Sequence, residues 1–238
     1  MMLRAAFAAL LIGLAAPASA DDAAVVRTEL DEAFDRLVDG GAQRWAFTMT
    51  LTTDGERYVA RFDPRNAPQW ELLAPSADDL DKDARKAFEE LSSNAEADEQ
   101  LVADDLPASL GAYELVSSDA SKAVFRFELS PDAEDAPPKK FLKAMRCDVT
   151  LDRASRAVTE IRIHAIEPFK PAPVAKVTSM ESVTTYVPRD GFPAPLAQSQ
   201  RTTAKGSALM RKFEETSVIE FSDIIPVEAA PFSDDDAD

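Results

Sequence analysis

At Gly40-Gly41 the apolar residues of this chain change their spacing from every third or fourth position to every second. Apart from a second helical stretch before about residue 100, they keep the two-residue period almost to the end, and that switch constrains the fold more than any other feature. Before the glycines, Val26, Leu30, Ala33, Phe34 and Leu37 recur among Glu29, Asp31, Glu32, Asp35 and Arg36, which predicts an amphipathic helix over 24–38. The glycine pair predicts its stop. Beyond it, Trp45, Phe47, Met49 and Leu51 alternate with Ala46, Thr48 and Thr50. Asp54-Gly55 supplies a two-residue turn, and Tyr58, Ala60 and Phe62 return opposite Arg57, Val59 and Arg61. This is a β-hairpin with one apolar face per strand.

Pro64, Pro68 and Pro75 bracket a short extended segment containing Trp70, Leu72 and Leu73. Ser76 opens a second predicted helix, with Asp79 in a capping-box-like position and Leu80, Ala84, Ala87, Phe88 and Leu91 along one side. A polar stretch, 92–100, ends it. Strands are then predicted over 111–117, 122–129, 142–151, 157–166, 176–187, 196–204, 207–214 and 216–224, with a loop at 130–140 and a turn at 152–156. No crossover helices separate these strands, so the sheet is expected to be antiparallel. Nine or ten strands with one apolar face each cannot lie flat and open. The expected fold is α+β: a single curved antiparallel sheet, a half-barrel, with about two covering helices in one domain over 21–227.

The first twenty residues fall outside that domain. Arg4, the apolar run Ala5–Ala16 and the small residues Ala18-Ser19-Ala20 read as a signal peptide cleaved after Ala20. The apolar run is shorter than the ~20 residues that span a bilayer. No Cys follows the leader, so no lipid anchor is expected, and the destination is the periplasm or the exterior. Residues 228–238 read as an acidic, unstructured tail.

Charge and composition exclude several functions. The 238 residues carry 43 acidic against 26 basic side chains, a net charge of −17. Adhesion to nucleic acid or an anionic bilayer rewards clustered Lys and Arg, so neither partner is expected, nor a stable membrane anchor. One Cys excludes an internal disulfide framework and a cysteine-rich zinc site, and one His excludes a multi-histidine metal site. Cys147 falls on an apolar strand face, as a small core residue would. His164 falls on a polar strand face with Glu160 and Arg162 and reads as solvent-facing. No G-x-S-x-G motif accompanies it, and the chain lacks G-x-G-x-x-G and Walker loops.

Asp79, Asp81, Asp83 and Glu90 match four positions of an EF-hand loop. Ala84 stands where that loop needs glycine, and Lys86 where an apolar residue packs, so an acidic helix start fits better. No catalytic residue, metal or cofactor is expected.

What remains is a large number of apolar side chains aimed at the sheet's faces. Trp45, Phe47, Met49, Tyr58, Phe62, Phe125, Phe127, Met145, Val149, Ile161, Ile163, Phe213 and Phe221 are the expected lining of an apolar cavity, with Leu51, Leu151, Leu209 and Ile219 in the same alternation. The same residues also fit a filled core. On the first reading the chain binds lipid or acyl chains. On the second it is an envelope interaction module that meets a protein partner. A hydrolase is a third reading, without a motif.

The order of elements, with Val124-Phe125-Arg126-Phe127-Glu128-Leu129-Ser130-Pro131, Cys147-Asp148-Val149-Thr150-Leu151-Asp152 and Val158-Thr159-Glu160-Ile161-Arg162-Ile163, resembles the LolA-like outer-membrane lipoprotein carrier and sorting superfamily. Phe62-Asp63-Pro64 leading to Trp70-Glu71-Leu72-Leu73 is similar to segments of related exported proteins. The resemblance implies a half-closed antiparallel barrel under a helical lid that binds lipid or a lipoprotein's acyl chains without chemistry. It also implies an early-strand arginine that holds the lid, a place that Arg57 or Arg61 would fill. The acidic balance and the long polar 64–105 region depart from that pattern.

Overall fold

A computed structural model describes residues 20–93, 97, 101–131, 139–209 and 211–227. The predicted leader up to Ser19, most of the 130–140 loop and the acidic tail lie outside the described residues. Helix α1 (Ala20–Gly40) leads into β1 (Arg44–Thr53), β2 (Glu56–Phe62) and β3 (Trp70–Ala74). A 3-10 turn (Ala77–Asp79), α2 (Lys82–Ser92) and α3 (Leu106–Ser109) precede β4 (Leu110–Ser118) and β5 (Lys122–Leu129). Helix α4 (Lys139–Ala144) opens onto β6 (Met145–Asp152), β7 (Ala157–Ala165), β8 (Phe169–Ala172), β9 (Ala175–Val187), β10 (Leu196–Ala208) and β11 (Arg211–Val227).

All eleven strands join one antiparallel sheet in the order β3-β2-β1-β11-β10-β9-β7-β6-β5-β4, with β8 paired to β9. The sheet curves without closing: an α+β half-barrel. The turn at Asp54 (φ 50°) and Gly55 (φ 85°) has both central residues at positive φ, which matches the twist of the hairpin it joins.

Several boundaries differ from the expected ones. The three strands expected over 196–224 are two long ones, because the turn lies at Leu209 and nothing interrupts β11. Leu209, expected to point inward, is 72% exposed at that turn. The Trp70 segment is a true strand, β8 is additional, and 139–144 is helical where strand was expected to begin at 142. Ser76 caps only the 3-10 turn, and α2 starts later, with the Asp81 side chain accepting from the Ala84 N–H at 2.8 Å. Gly40 and Gly41 sit where close packing forbids a side chain. A Cβ on Gly40 would lie 2.4 Å from that of Ala194, and one on Gly41 would lie 2.0 Å from the Asp104 carboxylate.

The strand order explains the helices. Strands β3 and β4 are consecutive in the chain yet form the two opposite edges of the sheet. The chain between them therefore connects opposite edges of the sheet, and α2 lies over the concave face.

Helix α1 covers the other half of that face. Val26, Leu30, Ala33 and Leu37 are each at most 1% exposed, and Phe34 meets the Phe127 ring at 6.0 Å. The β6–β7 turn fastens this helix. Arg153 pairs with Glu29 and Arg156 with Glu32, both at 2.8 Å, and Arg36 donates to the Ser155 carbonyl at 3.0 Å. Leu101, Val102 and Leu106 are also buried, so the chain just after the polar stretch belongs to the core.

Candidate functional site

The expected single apolar floor is divided. Between the two apolar halves, β9 and β10 present Ser182, Thr184, Gln200 and Thr202 on the concave face, in register with Ile161 and Ile163 of β7 on one side and Ile219 of β11 on the other. Ser182 and Thr202 hydroxyls lie 3.0 Å apart, and the Gln200 amide donates to Ser182 at 3.3 Å. Ser182, Gln200 and Thr202 thereby satisfy one another's hydrogen bonds, as part-buried polar groups must.

On the α1 side the apolar half is filled. Phe125, Val149 and Cys147 are fully buried, Phe127, Met145 and Ile161 nearly so, and Ile163 packs against them. These residues are core. Burial and the neighbouring Asp148 charge push the Cys147 thiol up to about 12, so it stays protonated and inert as a nucleophile.

On the α2 side the packing is incomplete. A cavity of about 480 Å³ lies between α2 and the hairpin end of the sheet. Its floor is Met49, Leu51, Tyr58, Ala60, Leu72 and Ile219; its roof is Leu80, Ala84, Ala87, Phe88 and Leu91, with Thr53, Glu56, Asp81 and Asp83 completing the wall. The volume falls in the ~300–1,000 Å³ range of small-molecule sites.

The contrast between the helices accounts for the space. The apolar side of α1 is sealed, whereas α2 has no buried residue although its apolar side faces the sheet. Beside the cavity an aromatic cluster closes the sheet's end: Phe47 stands 5.3 Å from Phe62 and 5.6 Å from Phe221, and Phe62 stands 5.2 Å from Trp70. Trp45 packs on Phe192 at 4.8 Å.

Of the residues expected to line a cavity, Met49 and Tyr58 line this one, as do Leu51 and Ile219 from the same alternation. Trp45, Phe47, Phe62 and Phe221 form solid core next to it, and Phe213 lies half-buried near the far end of β11, its ring against Gly206. The roof was visible in the sequence as the apolar side of the second helix. The contribution of Leu72 was not, because it follows from strand order.

Arg57 and Arg61 are exposed and alternate with Tyr58 and Ala60, so they stand on the opposite face of β2 from α2. Residues 83–90 of the acidic segment compared with an EF-hand are helical. The Tyr58 hydroxyl donates to Glu56. That bond, then burial, then the charges of Glu56 and Asp81 hold the phenol above its ordinary 10.0.

His164 lies on the outward face, as expected, but it is not solvent-facing. Its side chain is 17% exposed, and its Nδ1 is buried, without a hydrogen bond, 4.0 Å from Asp148. Arg146 on the adjacent strand β6 is its register partner, and Arg162, two residues earlier on its own strand, is the register partner of Asp148.

No helix among the described residues is long and apolar enough to cross a membrane. No protein-family model and no curated protein matches the chain. Among solved structures it is similar to the crystal structure of a DUF1329 family protein from Desulfovibrio piger, at 9% identity and a TM-score of 0.32, over 84% of this chain and 92% of that one. A likeness of that degree carries no inference about function.

Proposed function

We propose that this chain is an exported, non-catalytic binding or carrier protein that takes an apolar ligand, a lipid or the acyl chain of a lipoprotein, between α2 and the hairpin end of the sheet. One observation carries the reading: α2 lays Ala84, Phe88 and Leu91 over a cavity of about 480 Å³ yet buries no residue of its own. Left empty, such a space forfeits dispersion contacts on both walls, and an apolar guest restores them. The half-barrel and its helical cover are also the arrangement implied by the resemblance to LolA-like carriers, and the leader read in the first twenty residues would deliver the chain to the compartment where such carriers act.

The test is titration with an uncharged fluorescent probe, N-phenyl-naphthylamine, whose emission rises in apolar surroundings. Saturable enhancement is expected. Ala84→Trp, which fills the cavity from the roof while leaving every residue of the sheet unchanged, should abolish it. Absence of saturable enhancement, or equal enhancement in the folded Ala84→Trp variant, would overturn the reading.

A further inference from the structure

The walls of the cavity carry charge of one sign. Among the described lining residues the charged side chains are Glu56, Asp81 and Asp83, with no Lys or Arg. All three are exposed while Met49, Ala60 and Leu80 at the interior are buried, so the carboxylates mark the mouth. They converge from two elements: Glu56 opens β2, and Asp81 and Asp83 sit at the start of α2. The N-terminus of α2 would by itself favour an anion. Asp81 already occupies that role, accepting from the Ala84 N–H at 2.8 Å, and Asp83 adds a further negative charge in the first turn. Glu56 and Asp81 both act on the phenol of Tyr58, which places their fields across the same opening. An anionic head group at this rim would meet two or three like charges. A cationic one would meet opposite charges.

We propose that the ligand is a cationic amphiphile, its apolar body held under α2 and an amine or quaternary ammonium head at the Glu56–Asp83 rim. The inference rests on the apolar-ligand reading above and narrows its chemical class. The cavity volume suits a single chain or a small apolar body rather than a bundle of acyl chains.

The experiment is displacement of N-phenyl-naphthylamine from the full chain by decyltrimethylammonium, decanol and decyl sulfate, each below its micellar concentration. Decyltrimethylammonium should displace the probe at least about fivefold more tightly than decanol, as expected for part-exposed ion pairs, and decyl sulfate should be weaker than both. Added salt should narrow the gap. In the variant carrying Glu56→Gln and Asp83→Asn, the advantage of the cation should vanish while decanol binds as before. Both side chains are exposed, and the amide oxygen that replaces the Glu56 carboxylate can still accept from Tyr58, so the fold is retained. Decanol binding with no preference for the cation, or a preference that survives in the double variant, would overturn this inference and leave the apolar-ligand reading intact. Failure of all three compounds to displace the probe would overturn both.

Discussion

Among the described residues Asp148 is the one charged side chain that is buried. It survives there because Arg126 on the adjacent strand grips both its oxygens, at 2.7 and 2.9 Å. Burial pushes its pKa up, but the Arg126 bond and charge, with His164 and Arg162 beyond, outweigh it and hold the carboxyl below its ordinary 3.8. A depressed folded pKa contributes stability above the unfolded value and loses it as pH falls through the folded one. Arg126→Met should therefore destabilise the protein at pH 7. The cost should be about 2 kcal/mol, less than for a fully buried pair because Arg126 is one-third exposed. Urea unfolding measures it, and the gap from the parent protein should shrink as the pH is lowered below about 3.8. A gap that is unchanged down to pH 3 would remove the pair from the account. The sequence showed Arg126 and Asp148 only as two polar positions on outward faces. Their contact depends on strand register, which no local pattern states.

At the scale of elements, the two covering helices look alike in sequence and behave differently. Both have an apolar side at helical spacing, and α2 is capped by Asp81. Yet α1 closes onto β5 and β7 with four residues at 1% exposure or less, while α2 rests on side chains that remain part-exposed. Leu30→Ala should cost about 3 kcal/mol in urea unfolding, the cost of emptying a sealed core position. Phe88→Ala should cost about 1 kcal/mol or less, since its site is already partly void. Equal costs would mean that α2 is as much a part of the core as α1. The arginines that fasten a helix to the sheet also differ from the expected ones: they are Arg153 and Arg156 on the β6–β7 turn, not residues of the first hairpin. Hairpin periodicity names the face of an arginine, but which helix lies above that face is decided elsewhere.

At the scale of the whole molecule, the sheet is one continuous ladder, and its last strand pairs with its first: β11 lies against β1 from Arg44–Val227 to Thr53–Ser217. The two ends of the described chain are thereby stitched into one unit. Both tryptophans, Trp45 and Trp70, sit toward the β3 edge, whereas far-UV dichroism reports every strand. If the chain unfolds as one domain, tryptophan fluorescence and dichroism should give coincident urea transitions. Two separated midpoints would divide the molecule into the α1 half and the α2 half. The polar strip of Ser182, Thr184, Gln200 and Thr202 marks the line along which it would divide.

The sequence by itself determined the class of fold. Alternation at a period of two, the Asp54-Gly55 turn and the absence of crossover helices specify antiparallel strands, and ten such strands in succession have to curve. These are local properties, because each residue's face follows from its neighbours along the chain. The tertiary structure alone decided where that curvature is filled and where it is left open. The strand order puts consecutive β3 and β4 at opposite edges, brings α2 over the concave face, and sets Leu72, Ile219 and the apolar side of α2 around one space. Burial is a property of pairs distant in sequence, so an apolar side chain has the same pattern along the strand whether it ends in a solid core or on the wall of a cavity.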